Sequence, residues 1–226
     1  MDNDAQDVLA ALEAGKTTFM GYEFLVERGV IVPRPVTEVM IRACLSLLDP
    51  AGAYTFVDVG CGTGLIGIVL AHKFPNSRVV CLDISEECVR LTQRNIDKHG
   101  LGARACVRRS DMFAAAQDLV GLIDVVVSSP PFISSGRLAK DRAYLLDLEP
   151  RAAFDAGPYG ISIHQRLAKD SKTVMRPNAG WLVVEVGEGQ QAQVLRVLQR
   201  AGGYDRFTEF RERTDQYVAC VAARLI

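Results

Sequence analysis

The stretch Phe-Val-Asp-Val-Gly-Cys-Gly-Thr-Gly-Leu-Ile-Gly-Ile, residues 56 to 68, combines an apolar strand, a glycine-rich turn and the apolar start of a helix. Gly60, Gly62 and Gly64 have no Cβ and adopt positive φ at little cost, so the turn allows backbone to approach a bound ligand closely. A nucleotide-like ligand is the natural occupant of such a turn. Glycine turns also join strands to helices with nothing bound, so the motif needs support from the rest of the chain.

A second apolar strand, residues 79 to 84, ends in Asp83 about 20 residues beyond the glycines. A carboxylate at this strand tip is typical of one that accepts hydrogen bonds from two ribose hydroxyls. The alternative is that Asp83 caps the following helix, but Ser85 is better placed as the N-cap. We therefore predict that Asp83 and the adjacent Ile84 belong to the nucleotide site.

Two further strands also end in distinctive residues. Asp111 and Met112 follow a strand near 105 to 109, although an ordinary strand-end turn would also place an aspartate there. The strand 122 to 128 ends in Ser129-Pro130-Pro131-Phe132. Prolines fix φ and lack an N–H, and the aromatic ring offers a flat face, so this segment predicts a rigid platform for a planar group. A simple loop stop is the alternative.

The glycine turn resembles motif I of class I S-adenosylmethionine-dependent methyltransferases. Its pattern is acidic-x-Gly-x-Gly-x-Gly, whereas nicotinamide dehydrogenases carry Gly-x-Gly-x-x-Gly. The resemblance implies S-adenosyl-L-methionine as the cofactor, with the glycines at its methionine part, Asp83 at the ribose, and Asp111 with Met112 at the adenine. It implies the following cofactor-binding residues: Asp58, Gly60, Cys61, Gly62, Gly64, Asp83, Ile84, Asp111, Met112 and Ser129.

The Ser-Pro-Pro-Phe segment is similar to the Asn/Asp/Ser-Pro-Pro-Tyr/Phe motif of enzymes that methylate exocyclic amino or amide nitrogens. Such a nitrogen is deactivated by conjugation, so acceptors must hold its two hydrogens while its lone pair turns toward the methyl group. The resemblance implies that the Ser129 side chain and the Pro130 carbonyl are these acceptors and that Phe132 is the stacking wall. Ser129, Pro130, Pro131 and Phe132 are accordingly the predicted catalytic residues.

Two other segments narrow the resemblance. Residues 19 to 38, which include Pro33-Arg34-Pro35-Val36-Thr37-Glu38, look like the hairpin and loop that precede motif I in the HemK/PrmC protein-glutamine methyltransferases. Residues 149 to 160 resemble that family's Glu-Pro-x-x-Ala-Leu-x-Gly-Gly-x-x-Gly stretch. The resemblance runs from about residue 19 to residue 187. It implies that Arg34, Pro35, Thr37 and Phe132 line the substrate pocket.

Three departures from the family bear on the substrate. Ser129 and Phe132 replace the Asn and Tyr of Asn-Pro-Pro-Tyr, so a hydroxyl stands in place of a carboxamide acceptor. Residues 1 to 18 offer one short helix, with Val8, Leu9 and Leu12 on one face, where members of the family have a helical recognition domain. The tail from residue 211 to 220 lacks the usual Asp-x-x-Gly-x-x-Arg ending. We interpret these differences as divergence of substrate within one fold.

Composition excludes several classes of protein. The 26 basic and 27 acidic residues give a net charge of -1, so no overall basic field attracts nucleic acid. The six cysteines lack Cys-x-x-Cys spacing and are expected to be reduced core residues of a cytoplasmic protein. His72, His99 and His164 have no clustered partners in the sequence, so no metal site is predicted. The polar, acidic start does not resemble a signal peptide, and no apolar run approaches the ~20 residues of a membrane span.

Alternating patterns predict an α/β fold with a doubly wound, Rossmann-like sheet. Residues 1 to 35 are expected to form an N-terminal helix and a hairpin over 19 to 32, and residues 36 to 226 a methyltransferase domain. Helices are predicted at 36 to 48, 64 to 73, 85 to 99, 161 to 175 and 188 to 201. Strands are predicted at 54 to 60, 78 to 84, 103 to 109, 122 to 128, 180 to 186, 204 to 210 and 216 to 224. The resemblance further implies a seventh strand that runs antiparallel between the fifth and sixth.

These observations favour a methyltransferase that acts on a nitrogen of a planar amide or amino group in a protein or small molecule. Alternatives are a small-molecule enzyme that methylates nitrogen or oxygen, a cytosine-N4-type nucleic-acid enzyme, and a cofactor-binding scaffold without turnover. Nucleic-acid and membrane partners are not expected, and the sequence does not predict the oligomeric state. Residues 133 to 149 are expected to form either a mobile lid or an ordinary amphipathic surface helix.

Overall fold

The computed structural model describes residues 3–141, 146–214 and 217–226. A mixed seven-stranded sheet carries helices on both faces, and a short helix and a two-stranded hairpin precede it. The helices are α1 (Asn3–Ala14), α2 (Glu38–Leu47), α3 (Leu65–Lys73), α4 (Glu86–Lys98), α5 (Ser135–Asp141), α6 (Ser162–Val174) and α7 (Gln191–Ala201). The strands are β1 (Lys16–Phe19), β2 (Tyr22–Leu25), β3 (Thr55–Val59), β4 (Arg78–Asp83), β5 (Ala105–Arg109), β6 (Val125–Ser128), β7 (Trp181–Glu185), β8 (Tyr204–Arg211) and β9 (Val218–Leu225).

The strand order in the sheet is β5-β4-β3-β6-β7-β9-β8. The first five strands are parallel, whereas β9 runs antiparallel to both β7 and β8. The seventh strand of the sheet therefore lies between the fifth and sixth, as expected. From β3 the sheet continues on one side to β4 and β5, and from β6 it continues on the other side to β7, so the strand order reverses between β3 and β6. In open α/β sheets, ligands bind at such a reversal, outside the carboxyl ends of the strands.

Alternation along each strand divides the core into two layers. Phe56 and Val183 face the layer that α2, α3 and α4 cover, while Val57 and Leu182 face the layer that α6 and α7 cover. Because both faces are covered, the central strands are nearly continuous runs of buried apolar residues. Polar side chains on these strands are therefore concentrated at their carboxyl ends.

The predicted helices and the strands of the large sheet agree with the structure to within a few residues. The prediction of the last strand included Gln216, which lies outside the described residues. The predicted hairpin is present, but its strands, Lys16–Phe19 and Tyr22–Leu25, lie earlier in the chain than the predicted range of 19 to 32. Its turn is Met20-Gly21, where both residues have positive φ (48° and 83°), the backbone that a two-residue hairpin turn requires.

Two expectations about cysteine and histidine need correction. Cys106 is exposed on the edge strand β5 and is not a core residue, although all six cysteines are free thiols, as expected. His72 and His99 do have partners, because their ring nitrogens lie 3.2 Å apart and His72 stacks on Tyr22 of the hairpin. Within the described ranges, no group of three or more metal-ligating side chains is present. No helix in these ranges is long and apolar enough to cross a membrane.

Candidate active site

The glycine turn after β3 is anchored to the neighbouring strand. The N–H groups of Gly60 and Cys61 donate to the carbonyl of Leu82 at 2.8 and 3.1 Å. All three glycines of the turn have positive φ, and Gly64 is the N-cap of α3. A Cβ on Gly60 would meet no atom within 4 Å, so this exposed side of the turn is open to a ligand. The predicted close-approach turn is thus formed by the backbone geometry that glycine permits.

Asp83 lies at the tip of β4 and binds the turn directly. Its Oδ2 accepts the N–H of Gly62 at 2.9 Å, and its Oδ1 accepts the N–H of Ser85 at 2.9 Å. Ser85 is the N-cap of α4, as predicted, because its Oγ accepts the N–H of Cys88. Asp83 is only 8% exposed. Next to it, the Ile84 side chain is 64% exposed and offers an apolar surface on which a flat ligand could rest.

Asp58 is the buried carboxyl beneath the same turn. Its Oδ2 accepts the N–H of Gly67 at 2.9 Å, whereas its Oδ1 has no hydrogen-bond partner within residues 3–141, 146–214 and 217–226. The pKa of Asp58 is raised to about 7, mainly by burial; the Gly67 N–H opposes this rise, and the Asp83 charge adds to it. A buried acceptor without a partner fits a ligand that brings a donor. With the open side of Gly60, this atom fits the amino-acid part of S-adenosylmethionine.

The predicted adenine residues follow β5. Met112 has a positive φ of 47° and is buried, and its carbonyl accepts the hydroxyl of Ser110 at 2.7 Å. Asp111 is exposed and its Oδ1 lies 2.8 Å from the guanidinium of Arg166. The positive φ of Met112 holds its backbone in a strained, fixed conformation, which suits a backbone contact to the edge of a base. The Asp111 side chain, in contrast, is held by an exposed ion pair.

The Ser-Pro-Pro-Phe segment leaves the sheet from β6, next to β3. Pro130 is buried, and the Phe132 ring packs on Gly187, where an added Cβ would lie 2.9 Å from its Cδ2. The Phe132 carbonyl accepts the side-chain N–H of Gln190 at 2.8 Å, and a Cβ on Gly160 would lie only 2.7 Å from that carbonyl. The segment is therefore fixed from two sides, by the turn after β7 and by residues 154 to 160.

Glu185 is a residue that the sequence analysis missed. It ends β7, is 2% exposed, and its Oε2 has no hydrogen-bond partner among the described residues. Ser128 is level with Val184 in the parallel pairing, so Ser129 is level with Glu185. Burial raises the pKa of Glu185 to about 7, and the nearby hydroxyls of Ser129 and Thr37 oppose the rise. The signal was the one acidic residue in Trp-Leu-Val-Val-Glu, a strand that otherwise contains only apolar residues.

The three residues predicted to cover the substrate pocket have different surroundings. Arg34 makes two hydrogen bonds to the buried Glu149, at 2.6 and 3.1 Å, and an ion pair with Asp4 at 2.9 Å. Its guanidinium thus ties the loop before α2 to α1 and to residue 149. Pro35 is exposed, while Thr37 is buried against Glu185. Of these three residues, only Thr37 lies beside the carboxyl of Glu185.

The segment considered as a lid lies partly outside the described residues, because residues 142–145 are not among them. Its described part contains α5, and Leu138 on that helix is fully buried with Phe154. Ser135 and the backbone of Ile133 also bond to residues 154 to 157. The described part of this segment therefore packs on the residues that support Phe132.

Comparison with known proteins gives the family. A family model described as Methyltransferase small domain matches residues 37–145. The release factor glutamine methyltransferase of Moorella thermoacetica is 37% identical over 84% of this chain and 65% of its own length. That of Chlorobaculum tepidum is 32% identical over 92% of this chain and 73% of its own.

Among solved structures, a methyltransferase from Pyrococcus furiosus superposes with a TM-score of 0.65 over 98% of both chains at 15% identity. A ribosomal protein L11 methylase from Lactobacillus delbrueckii gives 0.59 over 88% of this chain and 82% of its own at 16% identity. These likenesses confirm the fold. The chain spans about two thirds of the length of the first relatives named above, 65% for the Moorella protein. The sequence relatives confirm the family resemblance that the motifs indicated. The chain belongs to the family of release factor glutamine methyltransferases.

Proposed function

We propose that this chain is an S-adenosyl-L-methionine-dependent methyltransferase that transfers the methyl group to a planar amide nitrogen, with a glutamine side chain of a release factor as acceptor. The observation that carries the proposal is the placement of Ser129-Pro130-Pro131-Phe132. This segment leaves β6 directly beside the glycine turn of β3, so an acceptor on it and a cofactor on the turn would meet at one edge of the sheet.

The residues of the chain would act mainly by alignment. S-adenosylmethionine, when bound, supplies a methyl group on a sulfonium. The open side of Gly60, the free oxygen of Asp58 and the strand-tip carboxylate of Asp83 fit its polar parts, and Ile84 with the Met112 backbone fits its base. Methyl transfer is an in-line displacement, so a fixed geometry lowers the barrier more than a strong base would.

Phe132 would be the stacking wall of the acceptor. Its ring rests on Gly187 and its carbonyl is held by Gln190, so the ring plane has little freedom. The Ser129 hydroxyl and the Pro130 carbonyl would accept the two hydrogens of the amide. The names of the sequence relatives support glutamine in a release factor as the first acceptor to test.

The test is methyl transfer from labelled S-adenosylmethionine to a release factor, a cytosine-containing oligonucleotide and a metabolite extract. We expect label on a glutamine of the release factor. Phe132→Ala should lower transfer at least about 10-fold while affinity for S-adenosylhomocysteine changes little, because stacking acts on the acceptor alone. Phe207→Ala, which removes a half-buried ring at the opposite edge of the sheet, is the matched control. No label on any acceptor, or label on oxygen, would contradict the proposal.

A second candidate is methylation of an amino group in a nucleic acid. The groove between α6 and α7 contains Lys169, Lys172, Arg196 and Arg200, and begins beside Ile161, next to the segment that holds Phe132. Such cations suit phosphate groups. Label on the oligonucleotide, lost when Arg196 and Arg200 are changed to Gln, would favour this candidate over the release factor.

A further inference from the structure

Three side chains from different elements meet at the carboxyl end of β7. Glu185 ends that strand, Ser129 is level with it beyond the end of β6, and Thr37 comes from the turn that precedes α2. The Glu185 carboxyl is almost fully buried, and its Oε2 has no hydrogen-bond partner in the part of the chain that the structure describes. Leaving a buried carboxyl oxygen unpaired is unfavourable, so a position of this kind calls for an explanation.

The carboxyl lies next to the acceptor platform. Gly187, two residues after Glu185, carries the Phe132 ring, and Ser129 is the first residue of the platform. A serine hydroxyl has one hydrogen to donate and two lone pairs to accept with. When a carboxylate takes that hydrogen, both lone pairs remain for the N–H groups of an acceptor. A carboxamide in the same place would offer its carbonyl oxygen with no such help.

We propose that Glu185 is a positioning residue that acts through Ser129: its carboxylate accepts the Ser129 hydroxyl and so makes Ser129 Oγ the acceptor for the amide nitrogen that is methylated. This inference rests on the function proposed above and explains how a serine serves where the family pattern has an asparagine. With Glu185 in this role, the class of methyl acceptor that fits is a primary amide, which has two N–H donors.

The proton balance follows from this arrangement. The nitrogen lone pair forms the new N–C bond while the S–CH3 bond breaks, its electron pair stays on sulfur, and the amide loses one N–H proton. That proton passes to Ser129 Oγ as the Ser129 hydrogen moves to the carboxylate, and Glu185 later releases it to solvent. A carboxyl that titrates near the working pH is suited to this task.

The surroundings of Glu185 contain few other charges. Cys220 on β9 is its partner in the antiparallel pairing, and Arg42 on α2 lies near that thiol. His164 on α6 bonds to the Glu185 carbonyl at 2.9 Å, not to its carboxyl. Because burial raises the pKa of Glu185 to about 7, the carboxylate form increases as the pH rises through 7. The activity that depends on it should rise over the same range.

The first experiment needs no transfer. The 13C carboxyl resonance of Glu185, assigned by its absence in Glu185→Gln, is titrated in wild type and in Ser129→Ala with S-adenosylhomocysteine present. Loss of the hydroxyl should raise the pKa of Glu185 by about 0.5–1 unit. Cys220→Ala, which alters the neighbouring buried thiol but not Ser129, should leave that difference in place. An unchanged titration in Ser129→Ala overturns the inference whatever the enzyme does.

The second experiment is a double-mutant cycle in steady-state methyl transfer to the release factor. Glu185→Gln should lower kcat about 10- to 100-fold with little change in KM, remove the rise of kcat/KM through pH 7, and leave S-adenosylhomocysteine affinity unchanged. The variant with both Ser129→Ala and Glu185→Gln should be no slower than Ser129→Ala alone. Additive losses, or a wild-type rate in Glu185→Gln, overturn the inference while the proposed function stands. A wild-type protein that binds S-adenosylhomocysteine and shows the linked titration, yet transfers to nothing, overturns the proposed function and the inference with it.

Discussion

Replacing Asp83 by Asn is expected to weaken cofactor binding far more than it weakens the fold. In the structure both carboxylate oxygens of Asp83 accept backbone N–H groups, from Gly62 and from Ser85, each at 2.9 Å. An ionised carboxylate has about four lone-pair sites, so two remain for ribose hydroxyls after these bonds are made. Asn keeps one carbonyl oxygen and places an NH2 group against a backbone N–H or a ribose hydroxyl.

The size of the effect follows from the kind of bond that is lost. Hydrogen bonds to a charged group contribute about 1.5–3 kcal/mol each. Loss of the charge and of one acceptor oxygen should therefore cost about 2–3 kcal/mol of binding free energy, which is about a 30- to 150-fold rise in Kd. The fold loses at most one of the two internal bonds, because the Asn oxygen still serves either Gly62 or Ser85. Asp83→Ala would remove both and is the less informative change.

Calorimetric titration with S-adenosylhomocysteine gives the Kd, and thermal unfolding gives the stability. Asp118→Asn is the matched control, because it removes an exposed carboxylate that is paired with Arg108 and is not among the predicted cofactor residues. We expect Asp118→Asn to leave the Kd nearly unchanged. A folded Asp83→Asn protein that binds with wild-type affinity would refute the ribose assignment, and an equal loss in both variants would mean that the effect is nonspecific.

Three other predictions use different parts of the site. Gly187→Ala should displace the Phe132 ring and slow transfer about 10-fold at unchanged S-adenosylhomocysteine affinity. Gly102→Ala, where an added Cβ meets nothing within 4 Å of the described atoms, should leave the transfer rate unchanged, and equal rates in the two variants would contradict the packing argument. The raised pKa values of Asp58 and Glu185, each about 7, mean that the free energy of unfolding should fall as the pH rises from about 4 to 7, by up to about 4 kcal/mol for Asp58. Thermal unfolding at pH 5 and 8 measures this, and Asp58→Asn should reduce the difference. S-adenosylhomocysteine should raise the Tm while NAD does not, since the glycine turn has the acidic-x-Gly-x-Gly-x-Gly pattern and not the Gly-x-Gly-x-x-Gly of dinucleotide sites; a similar rise with NAD would count against the cofactor assignment.

The sequence predicted the parts of the site that lie on continuous segments. The glycine turn, Asp83 and the Ser-Pro-Pro-Phe segment each follow an apolar strand, and parallel strands bring their carboxyl ends to one edge. The identity of these elements and the position of the last strand were therefore readable from local pattern and family resemblance. The hairpin was misplaced because Met20-Gly21, the turn, contains a Met with positive φ, which carries no sequence signal.

Contacts between distant segments could not be predicted in the same way. Glu185 ends an apolar strand, and nothing near it in sequence indicates that Ser129 and Thr37 lie beside its carboxyl. The pairing of His72 with His99 likewise depends on how α3 and α4 pack beneath the hairpin. Hydrophobic periodicity fixes which face of an element is buried, but not which polar groups share a buried position.

The two buried carboxyls of the site lower the stability of the fold at this edge of the sheet. Among the described residues, Asp58 near the end of β3 and Glu185 at the end of β7 each have one carboxyl oxygen without a hydrogen-bond partner, and these two strands flank β6. Burying a carboxylate without full pairing is unfavourable, so a sequence selected only for stability would place apolar residues there. Strongly raised pKa values beside a ligand cleft are typical of functional positions. If Asp58 serves the cofactor and Glu185 serves the acceptor through Ser129, Asp58→Asn and Glu185→Leu should both raise the Tm of the free protein at pH 8 while Asp58→Asn weakens cofactor binding and Glu185→Leu slows transfer. Destabilisation by both changes would instead assign the two carboxyls to the fold.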